Sequence, residues 1–476
     1  MKKKMVSMLL VVSMLGLIFT GCSPTSTAET SKQEEKAEVV PVETQTEIQK
    51  AKNVILLIGD GMGYGQLETA RVLEYGKDGK LNMQDMSNVA SVTTYSYDNI
   101  VTDSAAAATA IASGIKTNNK SIGVDYEGND VESITEVFQA QGKSIGIVAT
   151  AGIYDATPAG FGSSVADRSD KSEIVRDYFD AQWDVLLGGG TKYFAPEKQD
   201  GVDMIEEFKA SGYEYVTTAD ELSGVANADK LLGLFNYDEM TFTLDRDEKH
   251  EMTEEPTLKE MTMKALDVLE ENENGFFLMA EGSEIDGAAH GGDAAGVWKE
   301  TIEFDETVKY CLEWAKEHEN TLVIVTADHN TASITTAEYL EVNYDAIKNT
   351  KKTTTYMALM LELNEEGTAF TPESIKNAIK TGTGLEITDE EVVEVQELLL
   401  LDYVGDWLRY NDYSIGKFLS KKFGYVVMDQ FIYNEGNTYG HSGAWVPLFA
   451  EGPGSDVFEG VINNTDIKDL ILSVTE

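Results

Sequence analysis

The chain has 476 residues, enough for one large domain or two to three ordinary ones. It carries 37 basic against 83 acidic side chains, a formal charge of −46. Such a field repels nucleic acid, so no nucleic-acid partner is expected, and an anionic ligand needs a local positive site.

The first segment reads as an export signal. Lys2, Lys3 and Lys4 precede an apolar stretch from Met5 to Thr20, which is too short for a comfortable membrane span. Gly21-Cys22 resembles a bacterial lipoprotein processing site, in which residues 1–21 are removed and Cys22 becomes the lipid-carrying first residue. Ordinary signal cleavage nearby is the alternative. The expectation is an exported protein attached to the cell membrane through Cys22, facing the periplasm or the cell exterior. Residues 22–50, rich in Ser, Thr, Glu, Gln and Lys, read as a flexible tether. The only other cysteine is Cys311, so a disulfide framework is excluded and any metal must be held by carboxylates and histidines.

From Asn53 to about Thr336, apolar runs alternate with amphipathic patterns, which predicts an α/β fold with a large, mostly parallel sheet between helices. Four strand-like runs each stop at a carboxylate. Val54–Gly59 ends at Asp60, a Thr/Tyr/Val-rich stretch from Val89 ends at Asp103-Ser104, Phe276–Ala280 ends at Glu281, and Leu322–Ala327 ends at Asp328-His329. Further strands are expected at Ser144–Thr150, Val185–Leu187 and Val446–Ala450. Helices are expected at Gly65–Tyr75, Val131–Gln141, Pro256–Leu269 and Ala295–His318. Between about 337 and 432 the rhythm changes to acidic helical segments, Pro372–Lys380 and Thr388–Leu400, beside a Tyr-rich stretch. This reads as an insertion or cap, either a rim or lid or a plain embellishment.

The carboxyl ends of parallel strands face one crevice, where open α/β sheets bind ligands. Acids gathered there repel one another, and a bound cation is the simplest relief. Asp60 lies in Gly59-Asp60-Gly61-Met62-Gly63, which fails the dinucleotide pattern but suits a cation. Asp286 and His290 are four apart, one helical turn, ahead of which stands Glu281. His441 sits in a glycine-rich loop, and His250 and His318 stand among charged residues as solvated bystanders. Ser104 opens an alanine-rich helix closed by Gly114; it is either a simple N-cap or a hydroxyl activated by metal coordination at a helix start that suits phosphate. Arg168 offers a planar fork for two phosphate oxygens, or pairs at the surface with Asp167 or Asp170.

Taken together, Gly59–Gly63, Thr102-Asp103-Ser104-Ala105, Asp155-Ala156-Thr157-Pro158, Glu281-Gly282 with Asp286 and His290, Ala327-Asp328-His329 and His441 resemble the alkaline phosphatase family, in order from Asn53 to about Gly460. The resemblance implies one catalytic domain over residues 51–476 carrying the 337–432 insertion. It implies two Zn2+ and one Mg2+. Asp286, His290 and His441 would hold one zinc, and Asp60, Asp328 and His329 the other. Asp60, Thr157 and Glu281 would hold the magnesium. Ser104 would be the nucleophile that becomes phosphorylated and Arg168 the phosphate clamp, with Asp103 and Asp155 supporting them. The substrates would be phosphate monoesters, and a homodimer is compatible with the family. Gly287 offers no side chain where some members place a lysine, histidine or tryptophan. A phosphodiester hydrolase and a non-catalytic metal-stabilised lipoprotein stay open as alternatives, whereas a sulfatase lacks its cysteine signature.

Overall fold

The structure, a computed structural model, describes residues 50–246, 254–336, 341–400, 409–428, 438 and 440–476. The signal, the lipidation expectation at Cys22, the tether up to residue 49 and His250 lie outside them.

Twelve strands are described: β1 (Asn53–Gly59), β2 (Asn88–Thr93), β3 (Ser144–Gly152), β4 (Val185–Gly189), β5 (Glu214–Val216), β6 (Leu231–Leu234), β7 (Phe276–Gly282), β8 (Thr321–Thr326), β9 (Asn330–Thr331), β10 (His441–Ser442), β11 (Val446–Glu451) and β12 (Gly460–Asn463). Ten of them form one sheet in the order β12-β2-β11-β8-β1-β7-β3-β4-β6-β5, while β9 and β10 make a separate antiparallel ribbon. The central strands β1, β7 and β8 are buried along nearly their whole length, as expected of aliphatic runs covered by helices on both faces. All neighbours in the large sheet are parallel except β11, which runs antiparallel to both β8 and β2. The chain reaches β11 from His441, at the carboxyl edge of the sheet, so it has to run back across.

Register places the acids. Ile58 of β1 lies opposite Glu281 of β7 and Thr326 of β8. Asp60 and Asp328 each follow those partners by two residues, so the three acids come to the same edge. A one-residue slip would send the side chains to the opposite face.

The expected helices are found at Tyr64–Tyr75, Ile134–Ala140, Leu258–Leu269 and Ala294–Glu317. The stretch from Val89 behaves otherwise: β2 stops at Thr93, and a loop carries the chain to Asp103. That loop is tied down by polar contacts: the Ser96 hydroxyl donates to Asp98 Oδ1 at 3.0 Å, and the Asn119 backbone N–H donates to the same Oδ1 at 3.0 Å. Its Thr/Tyr composition therefore reports β propensity without a ladder. Between 341 and 428 the described residues form helices at Tyr344–Lys348, Thr354–Leu359, Pro372–Thr383, Asp389–Leu398 and Arg409–Phe423. Their apolar faces share a second core cluster with Ala288, Ala289 and Val297. The region is thereby packed against the segment that carries His290.

One buried acid in the long helix Ala294–Glu317 gives a pH prediction. Burial, then the neighbouring Glu303 charge, pushes the Glu300 carboxyl up to about 8, against relief from Arg246. A raised folded-state pKa means the folded chain holds the proton longer, so stability falls as pH rises from the unfolded value through about 8. Glu300→Gln keeps an oxygen acceptor for the Thr243 N–H. Scanning calorimetry is expected to show a melting-temperature gain of ~3 °C at pH 9 that shrinks toward pH 5.

Candidate active site

Asp103 is the N-cap of the helix Ser104–Ser113; its Oδ1 accepts from the Ala106 N–H at 3.0 Å. Ser104 is therefore the first helical residue and not the cap, which leaves its hydroxyl to face the sheet edge. Ser104 Oγ lies 3.0 Å from His329 Nε2. The same Nε2 is 3.4 Å from Asp60 Oδ1 and 3.2 Å from Asp328 Oδ2. In a Ser-His-Asp triad the carboxylate would sit on the far nitrogen. Here His329 Nδ1 meets the Thr331 hydroxyl at 3.2 Å, and the carboxylates gather on the serine side.

Asp286 and His290 lie on the short helix Glu284–His290, with Asp286 Oδ2 at 3.2 Å from His290 Nε2. The β9–β10 ribbon pairs His441 with Thr331 and so delivers the third imidazole. His441 Nε2 is 3.2 Å from His290 Nε2 and 3.8 Å from Asp286 Oδ1. Its Nδ1 is 3.0 Å from the Thr102 carbonyl, which can only accept, so Nδ1 carries the proton and Nε2 turns a lone pair inward. Gly61, at φ +66°, lets the β1 turn pass over Asp286: a Cβ there would stand 2.7 Å from Asp286 Oδ1. Its N–H donates to Asp328 Oδ1 at 3.1 Å.

Two sets of three donors have ligand atoms within 4.8 Å of one another: Asp60, Asp328 and His329, and Asp286, His329 and His441. His329 belongs to both, and His290 joins the second through its contacts with Asp286 and His441. Glu281 and Thr157 are fully buried beneath. No well-formed hydrogen bond reaches either Glu281 oxygen or the Thr157 hydroxyl, although the Ser283 and Thr157 hydroxyls lie near enough to favour the Glu281 carboxylate.

The electrostatics are set by burial and by carboxylates crowded together. Burial, reinforced by Asp328, Asp286 and Glu281, pushes the Asp60 carboxyl well above its ordinary value. Burial, with Asp155 and Asp328, does the same to Glu281. Asp328 is raised to about 7 by burial and then by the Asp286 charge. Burial would raise Asp286 as well, but its contact with the His290 imidazole outweighs it and holds the carboxyl well below. Burial lowers His329 far below its ordinary value and His441 to about 4, so both are neutral, ligand-competent imidazoles at pH 7.

Arg168 lines the same cavity as Ser104. It pairs with Asp155 at 3.1 Å and Asp103 at 3.4 Å, in place of the Asp167 or Asp170 contact that sequence proximity suggests. Its backbone N–H donates to the Lys120 carbonyl at 2.7 Å, and the Lys120 N–H donates to Asp103 Oδ2 at 3.0 Å, so one turn fixes both residues. Asp60, Ser104, Asp155, Arg168, Asp286, His290 and His441 line one cavity of about 330 Å³. Lys171 and Glu239 line it too and escaped the sequence reading. The available signal for Lys171 was a cation one helical turn past Arg168 in an acid-rich stretch. Outside the site, His318 is half-exposed, stacked on Trp314 at 3.7 Å and paired with Glu270.

The sequence profile of the family described as alkaline phosphatase matches residues 51–395, which leaves His441 beyond the matched span. The chain is 36% identical to alkaline phosphatase 4 of Bacillus subtilis, with 100% of this chain and 97% of that one aligned. It is 35% identical to the alkaline phosphatase of Escherichia coli over 60% of this chain and 71% of that one. Among solved structures, the cold-active alkaline phosphatase of a psychrophilic Shewanella superposes with TM-score 0.75 at 27% identity, covering 89% of this chain and all of that one. A TAB5 alkaline phosphatase mutant, described with Mg bound in its M3 site, superposes with TM-score 0.65 at 30% identity, covering 90% of this chain and 99% of that one. Among the described residues no helix is long and apolar enough to cross a membrane. Profile, full-length relatives and fold converge, and the chain belongs to the alkaline phosphatase family as an enzyme of the phosphomonoesterase class.

Proposed function

We propose that the enzyme hydrolyses phosphate monoesters through a phosphoserine on Ser104, in a site that holds two Zn2+ and one Mg2+. The observation that carries this reading is the Ser104 hydroxyl at 3.0 Å from His329 Nε2, itself ringed by Asp60 and Asp328. The donor set fits zinc: imidazoles and carboxylates converge, and no cysteine takes part. Glu281 and Thr157 supply oxygen donors only, which fits magnesium with Asp60. Asp286, His290 and His441 would hold one zinc, and Asp60, Asp328 and His329 the other. When bound, the ions would lower the pKa of the attacking hydroxyl and neutralise charge on the entering and leaving oxygens.

The residues themselves set the course of the reaction. Arg168 turns its fork from Asp155 and Asp103 to two phosphoryl oxygens and orients the phosphorus in front of Ser104. Ser104 gives up its hydroxyl proton as Oγ attacks in line; the Oγ–phosphorus bond forms, the bond from phosphorus to the ester oxygen breaks, and that oxygen takes up a proton and leaves as alcohol. The start of helix Ser104–Ser113 adds its partial positive charge to the phosphoryl group. Water then displaces Ser104 from phosphorus and inorganic phosphate departs. Positioning and charge neutralisation supply most of the rate.

Comparing a monoester and a diester of one leaving group tests the substrate class. A monoester preference of at least ~100-fold in kcat/KM is expected, since Arg168 addresses a terminal dianion. A diester turned over equally well would overturn the reading. Export with Cys22 as lipid anchor, supported by Lys2–Lys4, the apolar stretch and Gly21-Cys22, belongs to the same proposal. So do a cap role for residues 337–432 and a homodimer.

A further inference from the structure

Two cations and five carboxylates line the cavity: Arg168 and Lys171 against Asp60, Asp155, Glu239, Glu284 and Asp286. Of the cations only Arg168 has a part in the reaction described above. Lys171 Nζ lies 3.2 Å from Asp155 Oδ1, while Arg168 Nη2 lies 3.1 Å from Asp155 Oδ2. One carboxylate is thus shared by both cations, an oxygen to each. Lys171 is held in place from a second side, with its ammonium 5.0 Å from the centre of the Tyr154 ring. That ring is buried and its hydroxyl donates to Asp238 Oδ1 at 2.8 Å.

The position is unfavourable on local grounds. Lys171 is the first residue of the helix Lys171–Ala181, where the helix dipole disfavours a cation, and its N-cap Asp170 makes no capping hydrogen bond. A residue that breaks a local rule inside a cleft is a candidate for function. Gly287, on the wall of the same cavity, contributes no charge, and Arg168 and Lys171 are the two Lys or Arg side chains among its lining residues.

We propose that Lys171 is a positioning residue that acts through Asp155 to set how firmly Arg168 grips the phosphoryl group of substrate and product. Without Lys171 the whole Asp155 charge falls on Arg168. The guanidinium then has to break a stronger ion pair before it can turn to phosphate, so binding weakens. With Lys171 in place the Asp155 charge is divided and the fork is released at lower cost. This rests on the assignment of Arg168 as the phosphate clamp.

The test uses the metal-loaded enzyme and inorganic phosphate as the probe, by competitive inhibition and by calorimetry. Lys171→Met is expected to raise the phosphate inhibition constant and the monoester KM together by about tenfold, with the loss in KM and not in kcat. Lys171→Arg is expected to recover binding to within about threefold, since it restores the charge. In an Asp155→Asn background the Lys171→Met effect is expected to shrink below about twofold. A phosphate constant unchanged in Lys171→Met, or an equal effect with and without the Asp155 charge, overturns the inference. Arg168→Ala separates the two layers: if that variant binds phosphate as the wild type does, the clamp assignment itself fails. Should Lys171→Met fold poorly, Lys171→Gln and the melting temperature of each variant carry the same comparison.

Discussion

Ser104→Ala is expected to lower kcat/KM for a phosphate monoester by at least about 10⁴-fold, while metal content and phosphate affinity stay close to wild type. The size follows from the role. With Oγ gone, no side chain stands at 3.0 Å from His329 Nε2 to attack phosphorus, and only water positioned by the remaining groups is left. Such residual sites retain modest catalysis over solution, which sets the floor. The substitution is also structurally clean, because Asp103 and not Ser104 caps the helix and alanine is its best-tolerated residue. Denaturing mass spectrometry after an acid quench of wild type should show phosphate on the peptide containing Ser104, and the alanine variant should show none. Activity surviving at more than about one per cent of wild type would remove Ser104 from the mechanism.

Chelation is the second large effect. Treatment with EDTA is expected to abolish turnover, zinc alone to restore part of it, and zinc with magnesium the remainder. Stability should follow, because an ion that binds only the folded chain adds about 4 kcal/mol at a thousandfold excess over its Kd. The loss on chelation is expected to grow with pH. Asp328 is raised to about 7 in the ion-free fold, against an ordinary carboxyl value near 4 in the unfolded chain. A raised acid pKa makes the ion-free fold less stable as pH climbs between those values, and below them the penalty vanishes. Asp60 and Glu281, raised by burial and mutual repulsion, act in the same direction. Differential scanning calorimetry of ion-free and reconstituted protein at pH 6 and pH 9 checks this. A gap that narrows toward pH 9 would contradict the charge-repulsion argument.

The sheet and most of the site were legible because both are written in local patterns. Apolar runs buried on two faces have no alternation to hide, and a polar residue at their end is conspicuous, as at Asp60, Glu281 and Asp328. Strand direction carries no such mark: Val446–Glu451 reads as a strand, but only its approach from His441 makes it antiparallel. The edge strand β5 and its neighbour β6 are only three and four residues long, too short for their runs to stand out. Pairing across the chain was hidden too. Arg168 has Asp167 and Asp170 beside it in sequence, yet the turn through Lys120 aims it at Asp103 and Asp155. For the same reason the pairing of Lys171 with Asp155, sixteen residues away in the chain, was hidden. The N-cap at Asp103 turned on one residue, a precision that helix patterns do not reach.

The β9–β10 ribbon has a consequence for biosynthesis. Asp60 emerges from the ribosome early, whereas the imidazole that stacks on His329 at 3.8 Å belongs to His441, near the other terminus. Any piece of the chain that stops short of the ribbon therefore lacks one donor of the proposed metal site, and on that proposal it carries no complete catalytic centre.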